Sequence, residues 1–122
     1  MSSRNTTQTI PRLVITSGEP AGIGPDVVLM AARRPWDAEL LCIGDHDMLM
    51  ARSKELGVDL QFIPYTTGEP PAKHLPGQLR YIHVPAPARV VPGTLDVANA
   101  YYVLATLSLA AELCRSGEAN AL

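Results

Sequence analysis

The sequence predicts an α/β fold of three layers, a mostly parallel sheet with helices on both faces. Three observations predict it. Short β-branched runs alternate with longer helical patterns along the chain. Two of those runs, RLVIT (12–16) and AELLCIG (38–44), lack the polar alternation of a half-exposed strand and read as strands buried on both faces. The joints between strand and helix carry turn and helix-start residues, which implies right-handed crossovers between parallel strands.

Taken in order, RLVIT is a first strand that stops at the glycine-rich TSGEPAGIGPD (16–26). Pro25 and Asp26 open a helix over PDVVLMAARR, with an acid in its first turn, arginines in its last and Pro35 closing it. AELLCIG is the second strand, after which Asp45 is placed to cap HDMLMARSKELG, a helix that Gly57 ends. VDLQFIPY (58–65) alternates as a third strand, and TTGEPPAKHLPG is too rich in turn residues for any regular element. LRYIHVP (79–85) is a fourth strand, with Leu79, Tyr81 and His83 on one face. Pro85, Pro87 and Pro92 stiffen the next connection, Asp96 caps a long helix from Val97 to Arg115, and Gly117 ends it. The closing NAL reads as the start of another strand. The long helix is apolar around most of its circumference, so it needs cover on more than one side, from more chain, a second subunit or both.

Composition narrows the partners. At 122 residues, 47% hydrophobic and a net charge of −2, the chain suits one domain or a piece of one. Its charges are scattered, which gives no footprint for nucleic acid and no basic anchor for a membrane. Small molecules or other subunits are the expected partners. Residues 1–10 are polar, lack the apolar core of a secretory signal and read as a disordered tail, so a cytoplasmic location is expected. Val97–Cys114 is interrupted by Asn99, Thr106, Ser108 and Glu112 and reads as a helix buried in protein rather than a membrane span. Cys42 and Cys114 lie in apolar segments with no metal-ligand spacing and read as buried free thiols.

The glycine stretch is the most informative segment. Gly22 and Gly24 permit a positive φ or a close backbone approach, while Pro20 and Pro25 hold the turn in one shape. Strand, glycine turn and helix can present N–H groups to an anion. Yet a Walker loop needs Lys and then Ser or Thr where Pro25 and Asp26 stand, and a dinucleotide fingerprint read from Gly22 needs a small residue where Val27 stands. Glu19 and Asp26 would also repel a phosphate. Physical reasoning leaves a structural turn and a ligand-contacting loop evenly matched.

Other candidates read as structural. His46 lies between Asp45 and Asp47 at a helix start, where consecutive side chains diverge, so capping and dipole roles are expected rather than metal binding. His83 reads as a packed or interface histidine, His74 as a loop residue, Tyr101 and Tyr102 as packing residues of which one reaches a subunit interface, and Arg89 as a solvated arginine.

ITSGEPAGIGPDVV (15–28) resembles the N-terminal signature of the 4-hydroxythreonine-4-phosphate dehydrogenase family. CIGDHDMLMARSKELGVDL from Cys42, PGTLDVANAYYVLATLSLAAEL from Pro92 and the final SGEANAL resemble the same family in the same order. The resemblance implies a fold similar to isocitrate and isopropylmalate dehydrogenases, with residues 11–122 as an incomplete N-terminal part. It also implies NAD-dependent oxidation of a phosphorylated substrate's secondary alcohol, 4-phosphohydroxy-L-threonine, and decarboxylation to 3-amino-2-oxopropyl phosphate, in pyridoxal 5′-phosphate biosynthesis. A homodimer and a divalent metal (Zn, Mg or Co) bound by histidines beyond Leu122 are implied as well, so no catalytic or metal-binding residue is carried over and the fragment alone is expected to be inactive. By similarity to the related decarboxylating dehydrogenases, Gly22, Ile23 and Gly24 are the candidate NAD-contacting residues. Two alternatives stand beside this: a sister dehydrogenase for another four-carbon acid such as threonate 4-phosphate, and a non-catalytic α/β module that binds a nucleotide or a partner.

Overall fold

A computed structural model describes residues 10–87, 91, 93, 94 and 96–122. The expected tail, apart from Ile10, lies outside the described residues, as do Arg89 and Pro92. Strand β1 (Arg12–Thr16) leads through the glycine stretch into helix α1 (Gly24–Ala31), then β2 (Glu39–Gly44), α2 (His46–Leu56), β3 (Gln61–Pro64), β4 (Gln78–His83) and α3 (Ala98–Arg115). All pairings within the sheet are parallel, in the order β1-β2-β4-β3. Ala121 adds a parallel bridge to Leu13 on the open side of β1, where the sequence places the start of a further strand.

Alternation along the strands divides the core in two. Ile15, Cys42, Leu79 and Tyr81 face α1 and α2, packing with Val28, Leu29, Ala32 and Leu49. Val14, Leu41, Ile43 and Ile82 face α3, packing with Leu109, Ala110, Leu113 and Cys114. This is the three-layer arrangement the sequence predicts. Every residue of β2 is buried, since β2 has a strand on each edge and a helix layer on each face. Each fully buried Leu or Ile of these layers contributes about 1.5–3 kcal/mol.

Local chemistry sets the helix ends. Asp45 Oδ1 accepts the Met48 N–H at 2.9 Å, and Gly57 closes α2 in the left-handed region at φ 69°. Asp96 stands one place before the N-cap of α3, which is Val97 rather than the expected Asp96, though its carboxylate accepts the Ala98 N–H at 2.9 Å; Gly117 follows α3 at φ 84°. Helix α1 is shorter than expected: it ends at Ala31, so Arg33 and Arg34 lie beyond its last turn. Trp36 Nε1 donates to Ala31 O at 2.9 Å and takes one of the carbonyls that the helix leaves open. Arg52 reaches from α2 to grip Asp26 of α1 through two bonds of 2.7 and 2.8 Å, which lowers the Asp26 pKa.

The cysteines differ from expectation in one respect. Both are free and Cys42 is buried, but Cys114 is half-exposed, because α3 covers the sheet with only one of its faces. Burial pushes the Cys42 thiol up to about 12, which leaves it protonated and inert at neutral pH. Among the described residues no helix is long and apolar enough to cross a membrane.

Candidate functional site

The chain leaves β1 over one face through α1 and returns to the open side of β1 over the other face through α3. Open parallel sheets bind ligands outside the carboxyl ends of their strands, where the connections diverge in this way. At β1 that end is the glycine stretch. Beside it in the sheet lie Gly44, the last residue of β2, with Asp45 after it, and then His83 at the end of β4.

Hydrogen bonds hold the stretch in one shape. Glu19 O accepts the Gly22 N–H at 3.0 Å, Glu19 Oε1 accepts the Ala21 N–H at 2.9 Å, and Ala21 O accepts the Gly93 N–H at 2.7 Å. The three candidate residues have unequal roles in this turn. A Cβ on Gly24 would lie 1.8 Å from Ser17 O, so residue 24 has to be glycine for the backbone to close. On Gly22 a Cβ would meet Glu19 O at 3.3 Å, a contact that a small shift relieves. Ile23, at the N-cap of α1, is 77% exposed and presents an apolar side chain at the strand's carboxyl end.

No family model matches the chain. A 4-hydroxythreonine-4-phosphate dehydrogenase of Vibrio parahaemolyticus is 41% identical over 96% of this chain and 35% of its own length. The enzyme of that name from Sodalis glossinidius is 42% identical over 91% of this chain and 34% of its own length. The chain is a relative of the 4-hydroxythreonine-4-phosphate dehydrogenases. It spans about a third of the length of the curated relatives it matches. The crystal structure of a 4-hydroxythreonine-4-phosphate dehydrogenase from Burkholderia phymatum has the same fold, with a TM-score of 0.79 at 23% identity over 92% of this chain and 35% of that one.

In this relative of the 4-hydroxythreonine-4-phosphate dehydrogenases, the histidines do not all lie as the sequence suggests. His46 does not cap: its ring stacks on Tyr81 at 4.8 Å and meets Phe62 edge-on at 5.5 Å, while Asp45 caps α2. His83 is exposed rather than packed, and its Nδ1 accepts the His46 N–H at 3.0 Å, so in the neutral ring Nε2 carries the proton. His74 is buried, an outcome its proline-rich surroundings gave no sign of. Its Nε2 donates to Ala32 O at 2.8 Å and its N–H to Ala38 O at 2.9 Å, which pins the loop before β4 beneath α1. Among the described residues no group of three or more His, Cys, Asp or Glu is placed to hold a metal ion.

Sequence reasoning missed the polar residues that α3 brings to this end of the sheet. Tyr102 is buried and its hydroxyl accepts the Asp45 N–H at 2.9 Å, an approach that requires Gly44, where a Cβ would stand 3.0 Å from that oxygen. Burial raises the Tyr102 pKa and keeps its hydroxyl neutral. Asn99, one turn earlier and 1% exposed, donates from Nδ2 to Glu19 Oε1 at 2.7 Å. The signal was faint but present: Asn99 is the first polar interruption of the helix, one turn before Tyr102.

Proposed function

We propose that this chain is part of an NAD-dependent 4-hydroxythreonine-4-phosphate dehydrogenase, in which the turn after β1 forms one wall of the dinucleotide site. The observation that carries the proposal is the 41% identity to a curated dehydrogenase of that name over 96% of the chain. Bound NAD would supply the hydride acceptor. Gly22 and Ile23 are the residues that would hold it. Gly22 lets the cofactor approach the backbone, and the exposed Ile23 side chain offers an apolar surface beside it. Gly24 acts one step removed, by letting the turn close on Ser17.

On this reading the substrate is 4-phosphohydroxy-L-threonine, oxidised at its secondary alcohol and decarboxylated to 3-amino-2-oxopropyl phosphate in the cytoplasmic synthesis of pyridoxal 5′-phosphate, by a homodimer. A divalent metal belongs to the same reading, with its ligands expected outside these residues.

Ile23→Ser gives the test. Serine is a better N-cap than isoleucine, so the complete polypeptide should stay as stable as the parent while its KM for NAD rises about tenfold, the equivalent of about 1.4 kcal/mol of lost apolar contact. Unchanged NAD kinetics remove the loop from the cofactor site. Reduction of NAD with threonate 4-phosphate, and none with 4-phosphohydroxy-L-threonine, would reassign the substrate.

A further inference from the structure

The glycine turn and the turn after β2 both hang from the first two turns of α3. Asn99 reaches Glu19 and Tyr102 reaches the N–H of Asp45, from positions three residues apart on one face of the helix. Both side chains are almost fully buried, on a helix whose outward face is apolar. A polar side chain is costly in that position unless it satisfies a partner. Asn99 satisfies one whose own bonds define the turn, since the oxygen that accepts from Asn99 also accepts from Ala21. Among the described residues its Oδ1 has no partner, so the Nδ2 bond to Glu19 is the one that fixes the amide there.

We propose that Asn99 and Glu19 form a latch that fixes the glycine turn against α3 and sets its spacing from the turn after β2, making both positioning residues for whatever binds at the end of β1. The proposal rests on the dinucleotide reading for the identity of that ligand, but not for the latch itself. The Glu19 carboxylate orients two donors at once, one from the turn and one from the helix. Breaking either arm leaves the turn free to move relative to α3 without removing any group that Ile23 or Gly22 presents.

The test uses the complete polypeptide with Asn99→Ala, Glu19→Ala and Glu19→Gln. Loss of a hydrogen bond to a charged group should raise the KM for NAD about tenfold, with kcat within about twofold of the parent. Amide exchange at Ala21 and Gly22 should quicken about tenfold in both alanine variants. Glu19→Gln keeps the accepting oxygen and should restore both readouts. Unchanged exchange, or a KM defect that Glu19→Gln does not restore, overturns the latch. If Asn99→Ala fails to fold, Asn99→Leu, which keeps the volume and removes only the donor to Glu19, decides the matter by the same exchange readout. Exchange needs no substrate, so a protein that does not reduce NAD would sink the functional reading while leaving the latch to be decided on exchange alone.

Discussion

Gly24 and Gly22 look alike in the sequence and differ in what they permit. The missing Cβ of Gly24 is filled by a backbone carbonyl 1.8 Å from where it would sit, and a backbone atom within a turn cannot move aside as a side chain does. Gly24→Ala should therefore cost at least about 2 kcal/mol, measured as a fall in the urea midpoint of the complete polypeptide, whereas Gly22→Ala should cost under about 1 kcal/mol. Equal stability of the two variants would contradict the turn geometry. Gly22 and Ile23 are consequently the positions at which an effect on cofactor binding can be separated from an effect on folding.

The first half of helix α3 is inverted relative to an ordinary surface helix. Its buried positions there are Asn99, Tyr102 and Thr106, while Val97, Tyr101 and Leu104 are 84%, 78% and 60% exposed at positions that form one stripe. The expectation that this helix needs cover on a second side follows from its sequence, and the fold leaves that side open. Leu104→Glu should then destabilise the complete polypeptide by about 1.5–3 kcal/mol, the burial energy of a leucine, and leave the stability of the 122-residue chain unchanged. Equal tolerance in both would mean that the stripe stays in water. The first four elements were legible because each is specified locally: a β-branched run, a proline at a helix start, an Asp cap and a terminal glycine. Strand order was not, because the insertion of β4 between β2 and β3 depends on contacts between residues far apart in the chain.

Across the whole molecule, the end of the sheet opposite the candidate site is held by a buried charge network. Arg12 Nε donates to Glu39 Oε2 at 2.5 Å, its other nitrogens donate to the carbonyls of Glu118 and Glu69, and its guanidinium lies 4.7 Å over the Tyr65 ring. Glu39 Oε1 accepts the Ala72 N–H at 2.8 Å. Tyr65 donates to Glu118 at 2.6 Å, and that bond holds the Glu118 carboxyl below its usual range. One network thus ties the loop before β4 and the segment after α3 to the first residues of β1 and β2. Glu39→Ala should cost about 3–5 kcal/mol, since it leaves Arg12 buried and uncompensated, and the double change Glu39→Leu with Arg12→Met should recover most of the loss in thermal or urea unfolding. A single variant as stable as the parent would show that the pair carries no such penalty.

The sequence by itself determined the element types, the two-sided burial of the sheet, the cap at Asp45 and, through its motifs, the family resemblance. These depend on periodicity, on local backbone preference and on residue order, all of which are read along the chain. The tertiary structure alone decided that Gly24 closes the turn while Ile23 stands free, that His74 is buried and His83 exposed, and that Asn99 and Tyr102 hold the two turns at the carboxyl end of the sheet. Each of those depends on a neighbour supplied by another element. Neither pattern nor propensity records which distant group will arrive to satisfy a polar atom or fill the space a glycine leaves.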